Sequence, residues 1–295
     1  MAMRLKFKNQ AFQEAATAAV CDVFEGQPFH DPDKYTVDPG RIGAQRRGGA
    51  EIQSLPGLEM PSQAMLDLPD PPEVDYKNAE IEIQHEALLR NLHAVQDRQN
   101  IAHSQLCGSA SPRLNMPPEL EVEMETGTGK TFVYIKTIFE LNKRYGWSKF
   151  IVIVPGVAIR EGVKKSFDIM ADKFQDDYGK LAKTYVYNSA HPQDVKDFST
   201  EAGIQVLVMN VQAFNAEGKG SAVARRIYMA LDDFASRRPI DMIAANRPIL
   251  ILDEPQKMEG RATSEMLPKF NPLMILRYSA THKTIRNLVY RLDAI

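Results

Sequence analysis

The sequence predicts an α/β protein built on a doubly wound parallel sheet, and three features predict it. From Leu120 to Tyr278 short apolar runs alternate with amphipathic helical stretches. Two of those runs, Phe150–Val154 and Ile249–Leu252, are apolar on both faces, as central strands covered by helices on each side must be. The third feature is "METGTGKT", Met124–Thr131, which follows one such run and opens a helix.

Taken in order, Asn9–Glu25 carries Phe12, Ala16, Ala19 and Val23 at three- and four-residue spacing, which predicts a helix ended by Gly26. From Gln27 to about Pro118 the regular signals fade. "SLPGLEMPSQAMLDLPDPPEVDY" is crowded with prolines, which break helices and ladders alike, so it predicts loop. Within that stretch Asn78–Ile101 predicts a helix with Ile81, His85, Leu88, Leu92 and Val95 on one stripe. The strands follow as "LEVEM", "KFIVIVP", "KTYVYN", "IQVLVMN", "RPILILDE" and "MILRYSA", with no internal repeat.

Composition narrows the classes. The 295 residues are 44% hydrophobic and 25% charged, enough for one large domain or two modest ones. A net charge of −2 excludes a domain that coats nucleic acid with its whole surface. The pairs Arg46-Arg47, Arg225-Arg226 and Arg237-Arg238 read as solvated faces, so any DNA contact is confined to a groove. No run approaches the roughly 20 apolar residues of a membrane span, and "MAMRLKFKNQ" has no apolar run behind its basic residues. Cys21 and Cys107 have no metal-ligand spacing and predict small buried side chains in a reduced, cytoplasmic setting.

The chemistry concentrates in three places. Gly127 and Gly129 let the backbone curl so that its amides point at phosphate oxygens, and the following helix adds the positive end of its dipole. Lys130 would neutralise the β and γ phosphates, and the Thr131 hydroxyl would ligate Mg²⁺. Met124 stands where the general pattern has glycine, and Gly-Lys-Thr alone also fits an ordinary strand–turn–helix junction. Phe132, Ile135 and Phe139 would anchor the helix, and Gly146 would close it. The second place is Asp253-Glu254 at the end of an all-apolar strand, where Asp253 can hold Mg²⁺ through water and Glu254 can deprotonate an attacking water. The third is Ser279-Ala280-Thr281, which ends the next short strand.

In this order the three elements resemble those of superfamily 2 helicases and translocases, in which they bind ATP-Mg²⁺, activate water and couple hydrolysis to movement on nucleic acid. Four stretches are similar to the motor of the restriction subunit of type III restriction–modification enzymes. They are "QAFQEAATAAVCDVFEGQP", "VEMETGTGKTFVYIKTIFELNKRYGWSKFIVIVPGVAIREGV", "LILDEPQKMEG" with its Pro255-Gln256, and "LRYSATHK". The resemblance covers Leu5–Gly26 and Leu120–Ile295, and Met at position 124 is unremarkable within it.

That resemblance implies a RecA-like first motor domain. Residues 1–26 would form an adenine-motif helix, 27–118 an insertion and 119–295 the phosphate-loop core. Phe12 and Gln13 match the aromatic–glutamine pair that reads adenine, a task suited to an amide that donates and accepts at once. Thr126, Gly127, Thr128, Gly129, Lys130 and Thr131 would hold the phosphates, with Mg²⁺ between Thr131 and Asp253. Gln256, Ser279, Ala280 and Thr281 would couple hydrolysis to movement. Pro155, Arg160 and Asn210 would contact the DNA backbone, while His282 reads as a local hydrogen-bonding residue. The implied cofactors are ATP and Mg²⁺; the implied partners are double-stranded DNA and a DNA methyltransferase subunit. No second RecA-like domain, with its arginine fingers, and no nuclease is legible after Thr281, so weak binding and scant hydrolysis of ATP are expected of this chain. A repair or remodelling helicase and a nucleotide-binding remnant are the alternative readings.

Overall fold

Strands that are apolar on every side chain need cover on both faces, and the chain supplies it twice over. The computed structural model describes residues 9–37, 75–105, 117–189, 192–213, 224–230, 237–258, 260–281 and 286–292. Arg46-Arg47, Cys107, the proline-rich run up to residue 74, residues 214–215 and His282 lie outside the described residues, as does the Arg225 side chain.

A small antiparallel pair, β1 (Thr36–Val37) with β2 (Asp75–Tyr76), accompanies a seven-stranded sheet. The large sheet comprises β3 (Glu119–Met124), β4 (Lys149–Val154), β5 (Ala182–Val186), β6 (Ile204–Asn210), β7 (Ile249–Asp253), β8 (Met274–Ser279) and β9 (Leu288–Leu292). Its order is β5-β6-β4-β7-β8-β3-β9, and every neighbouring pair is parallel. The two doubly apolar runs become β4 and β7 in the middle, as the sequence predicts. Alternate residues serve opposite cores. Phe150, Val152, Val154, Ile249 and Ile251 pack with α1 (Ala11–Asp22), α2 (His85–Arg98), α3 (Lys130–Tyr145) and α4 (Val157–Tyr178). Ile151, Ile153, Leu250 and Leu252 pack with α5 (Gln193–Thr200), α6 (Pro239–Ala245) and α7 (Arg261–Met266).

The helix over Asn9–Glu25 forms as α1, and Cys21 within it is buried. In α3, Phe132, Ile135 and Phe139 are buried as expected, and Phe139 stacks on Phe174 of α4 at 4.6 Å. Gly146 ends α3 at φ +83, and a Cβ there would lie 1.7 Å from the His30 carbonyl oxygen, so glycine is required on both counts.

Two expectations change. The helix over Asn78–Ile101 is shorter, because side chains take the backbone groups its first turns would use. Gln27 donates to Glu80 O at 3.0 Å and accepts from Glu82 N at 2.8 Å. The Asn78 amide donates to Lys149 O and Arg247 O, both at 2.9 Å, and accepts from Ser148 N at 2.7 Å and Lys149 N at 3.0 Å. Leu88, Leu92 and Val95 are buried as expected, but His85 is exposed and Ile81 precedes the helix. Parts of the predicted insertion are thus stitched into the core, and Trp147, fully buried, donates to Ala79 O at 3.0 Å. The second change is β9, an unpredicted edge strand beside β3. Gln96 of α2 donates to Leu288 O at 3.0 Å, and Asn287 donates to Glu119 O at 2.7 Å.

Asn78→Ala strands buried backbone groups on two chain segments at once. We expect a loss of about 2–4 kcal/mol, since each unsatisfied buried group costs roughly 1–3 kcal/mol. Urea unfolding measures it, and a loss below about 0.5 kcal/mol would show that the clamp is dispensable.

Candidate active site

Parallel strands share one direction, so their carboxyl ends line one edge of the sheet, where open α/β folds place their ligands. All the singled-out segments arrive there: the Met124–Lys130 loop after β3, Asp253 at the end of β7, Ser279 at the end of β8, Pro155 after β4 and Asn210 at the end of β6.

The loop turns on two glycines in the left-handed region, Gly127 at φ +86 and Gly129 at φ +90. Gly129 carries a second constraint, because a Cβ there would stand 2.5 Å from the Gln13 amide nitrogen. Gln13, buried on α1, donates to Thr128 O at 3.0 Å, and Phe12 is partly buried against the core. Thr128 also donates to Glu125 O at 2.6 Å, while Thr126 and Gly127 are exposed at the tip. The structure therefore brings Gln13 to the Met124–Lys130 loop, while Phe12, next to it in sequence, packs against the core.

Lys130 opens α3 with only 8% of its surface exposed. Its ammonium donates to Met124 O at 3.1 Å and Glu125 O at 3.3 Å, and pairs with Glu254 Oε1 at 3.0 Å. Gln256 donates to the other Glu254 oxygen. Ser279 Oγ lies 2.6 Å from Gln256 Oε1 and 2.6 Å from Thr281 O, and accepts from Thr281 N at 3.1 Å. A hydroxyl has one proton, so Ser279 can donate to Gln256 or to Thr281 but not to both. Lys130, Glu254, Gln256, Ser279 and Thr281 form one continuous polar path, with Ala280 in the turn between its last two members. Glu254 adopts φ +55, a left-handed conformation that L residues rarely take and that concentrates at functional sites.

The two neighbouring carboxylates titrate in opposite directions. Burial pushes the Asp253 carboxyl up to about 6, Glu254 reinforces that, and Lys130 opposes it. Burial also pushes Glu254 up, but its bonds from Lys130 and Gln256 outweigh this and hold it below the usual carboxylate range. Thr131 and Asp253 offer hard oxygen donors of the kind Mg²⁺ takes. A fully buried hydroxyl without a hydrogen bond, that of Tyr134, sits beside them. The donor set fits Mg²⁺.

Among the expected DNA contacts, Pro155 and Asn210 are brought together by Gln212, which donates to Pro155 O at 3.2 Å and accepts from Asn210 at 2.8 Å. Arg160 is engaged elsewhere, paired with Glu161 at 2.9 Å and donating to Tyr187 O at 3.2 Å. Sequence reasoning missed Tyr134, although it stands three residues after Thr131 and so shares its helix face. A cleft of about 290 Å³ lined by Phe29, Asp31, Asn142, Lys180 and Leu181 lies at the opposite edge of the sheet, away from this chemistry.

Residues 81–284 match the family described as type III restriction enzyme, res subunit. The chain is 35% identical over 237 residues to the type III restriction-modification enzyme EcoP15I Res subunit of Escherichia coli, covering 74% of this chain and 24% of that one. It is likewise 35% identical over 237 residues to the EcoPI Res subunit of Escherichia phage P1, with the same coverage. The chain spans about a quarter of the length of these curated relatives. Among solved structures it is similar to the UvsW helicase from Bacteriophage T4, 16% identical with a TM-score of 0.35 over 57% of this chain and 48% of that one. So loose a likeness carries no argument, and the fold rests on the strand order itself.

Asp253 gives a stability prediction whose sign is fixed. An acid whose folded pKa is raised from 3.8 to about 6 stabilises the fold below its unfolded value and loses that contribution as pH rises through about 6. Asp253→Asn should therefore stabilise the ligand-free chain at pH 8 by about 2–3 kcal/mol, and hardly at all at pH 4. Chemical denaturation at both pH values checks it; equal effects at the two would refute the assignment.

Proposed function

The chain belongs to the type III restriction enzyme res-subunit family, and from that premise we propose that it is an ATP-binding, RecA-like motor domain whose hydrolysis of ATP drives translocation on double-stranded DNA. The observation that supports this best is the polar path from Lys130 through Glu254, Gln256 and Ser279 to Thr281, which connects the phosphate loop to the turn after β8.

In the ligand-free chain Glu254 holds the ammonium that a triphosphate needs. When nucleotide binds, Lys130 exchanges Glu254 for the β and γ phosphates, and the loop amides around Gly127 and Gly129 complete the cradle. Glu254, released by Lys130 and still hydrogen-bonded by Gln256, is then free to take a proton from an attacking water. Thr131 and Asp253 would hold Mg²⁺, which would supply charge neutralisation to the phosphates. Gln256 registers the release of Glu254, and the Ser279 proton passes between Gln256 and the Thr281 carbonyl. Thr281 is exposed, and from there the change reaches the surface. Phe12 and Gln13 hold the adenine. The Pro155 and Asn210 loops, tied by Gln212, form a ledge for the DNA backbone.

On this reading residues 1–26 serve the base, 27–118 are an insertion whose described parts brace the core, and 119–295 carry the chemistry, all as one domain. In the whole enzyme the domain would work with a DNA methyltransferase subunit and feed cleavage of double-stranded DNA by a nuclease. The setting is cytoplasmic; among the described residues no helix is long and apolar enough to cross a membrane.

Two variants separate binding from chemistry. Lys130→Ala should weaken ATP affinity about 10–100-fold, through loss of a charge-assisted phosphate contact. Glu254→Gln should bind ATP as the wild type does, with any DNA-stimulated hydrolysis lowered about 10²–10⁴-fold. Equilibrium nucleotide titration and a phosphate-release assay with duplex DNA measure both. Unchanged affinity in Lys130→Ala would sink the phosphate-site reading. Turnover that ignores DNA would favour a nucleotide-binding domain with no motor role.

A further inference from the structure

Three hydroxyls are buried where α3 packs on β8, and two of them are spent. Thr137 donates to Val133 O at 2.8 Å, and Tyr278 donates to Thr137 Oγ1 at 3.1 Å. The third belongs to Tyr134, fully buried and without a hydrogen bond. Its ring is well used, set edge-on to Tyr278 at 5.6 Å and 64°. A phenylalanine would keep that packing and avoid burying a polar group for nothing, so the hydroxyl calls for a partner.

The polar groups beside it are Thr131 and Asp253. Thr131 and Tyr134 are three residues apart on α3 and share a face. Asp253 comes to the same place from the end of β7.

We propose that Tyr134 is a positioning residue of the Mg²⁺ site, donating its hydroxyl hydrogen bond to Asp253 and fixing that carboxylate's orientation when metal and nucleotide are bound. This role rests on the nucleotide-site reading above. Groups that orient a metal ligand set affinity without touching the metal, and their loss typically lowers it about 10–100-fold. The hydroxyl lies near Asp253 and Thr131 but short of hydrogen-bond geometry to either, so its removal costs the fold no formed hydrogen bond.

The test is Tyr134→Phe in the 295-residue chain, with a fluorescent ATP analogue titrated in EDTA and then at rising Mg²⁺. We expect affinity in EDTA within about twofold of wild type, a Mg²⁺ midpoint raised about tenfold, and no fall in the ligand-free melting temperature. Tyr278→Phe is the control: it strips a made hydrogen bond from the same layer, so it should lower the melting temperature and leave the Mg²⁺ midpoint in place. A Tyr134→Phe midpoint equal to the wild type's overturns the proposal. So does an equal loss of affinity with and without Mg²⁺, or a variant that does not fold, since either makes the hydroxyl structural. A wild-type chain that gains no nucleotide affinity from Mg²⁺ overturns the nucleotide-site reading itself, and shows it before any variant is made.

Discussion

Burial of both faces of the parallel sheet is the constraint on which everything else depends. A strand such as β7, apolar from Ile249 to Leu252, has room for a charge only where it leaves the layer. Because every strand runs the same way, these exits collect along one edge, and the sheet assembles its polar groups from segments far apart in sequence. The edge is still largely dry. Asp253 retains 6% of its surface, and its carboxyl is pushed up to about 6 as a result. Low dielectric is also what gives the neighbouring Lys130–Glu254 pair its strength, since surface pairs are screened to about 1 kcal/mol or less.

How much of this was legible in the sequence follows from the range of each interaction. Lys130, Thr131, Asp253 and Glu254 stand at fixed offsets from predicted strand ends, so local spacing singled them out, whereas Ser279 stood out only by its order after them. The central strands were legible because an apolar run of their length has few other uses. Asn78 and Gln27 were not, because each side-chain amide bonds to backbone distant in the chain, from Glu80 to Arg247, and leaves no periodic trace. The same holds for Gln212, whose partners Pro155 and Asn210 meet only once β4 and β6 are paired. β9 escaped notice because "LVYRL" is short and owes its place to β3 and to the side chains of Gln96 and Asn287. Tyr134 carried no signal in the sequence, because the burial of its hydroxyl without hydrogen-bond geometry is a fact of packing.

The stretches outside the motifs are part of the same construction. α1 reaches the phosphate loop through Gln13 and the middle of α3 through the Glu14–Lys136 pair. The segment around Asn78 and Ala79 closes over Trp147, whose ring meets Phe24 edge-on at 5.4 Å. Lys149, which opens β4, is fully buried and donates to the carbonyls of Phe198 and Glu201, both at 2.6 Å, at the end of α5. Burial pushes its ammonium down to about 7, and the charged form is the one those helix-terminal carbonyls favour, in the sense of the helix dipole. Gln13 braces the loop after β3 directly, while the contacts of Asn78, Trp147 and Lys149 lie at the other ends of the strands and hold the sheet that carries it.

The Lys130–Glu254 pair makes the empty cradle its own counter-ion store. A lone phosphate or sulfate that met only the ammonium would have to evict a carboxylate already seated at hydrogen-bond distance, trading one anion for another with nothing gained elsewhere. A ligand that also fills the amide nest, and brings a cation of its own to sit by Asp253, replaces that carboxylate with several contacts at once. On the proposed reading, the crowded inorganic anions of a cell would therefore be poor competitors for the site, and a preference for long, metal-carrying polyphosphates would be set before any base is read.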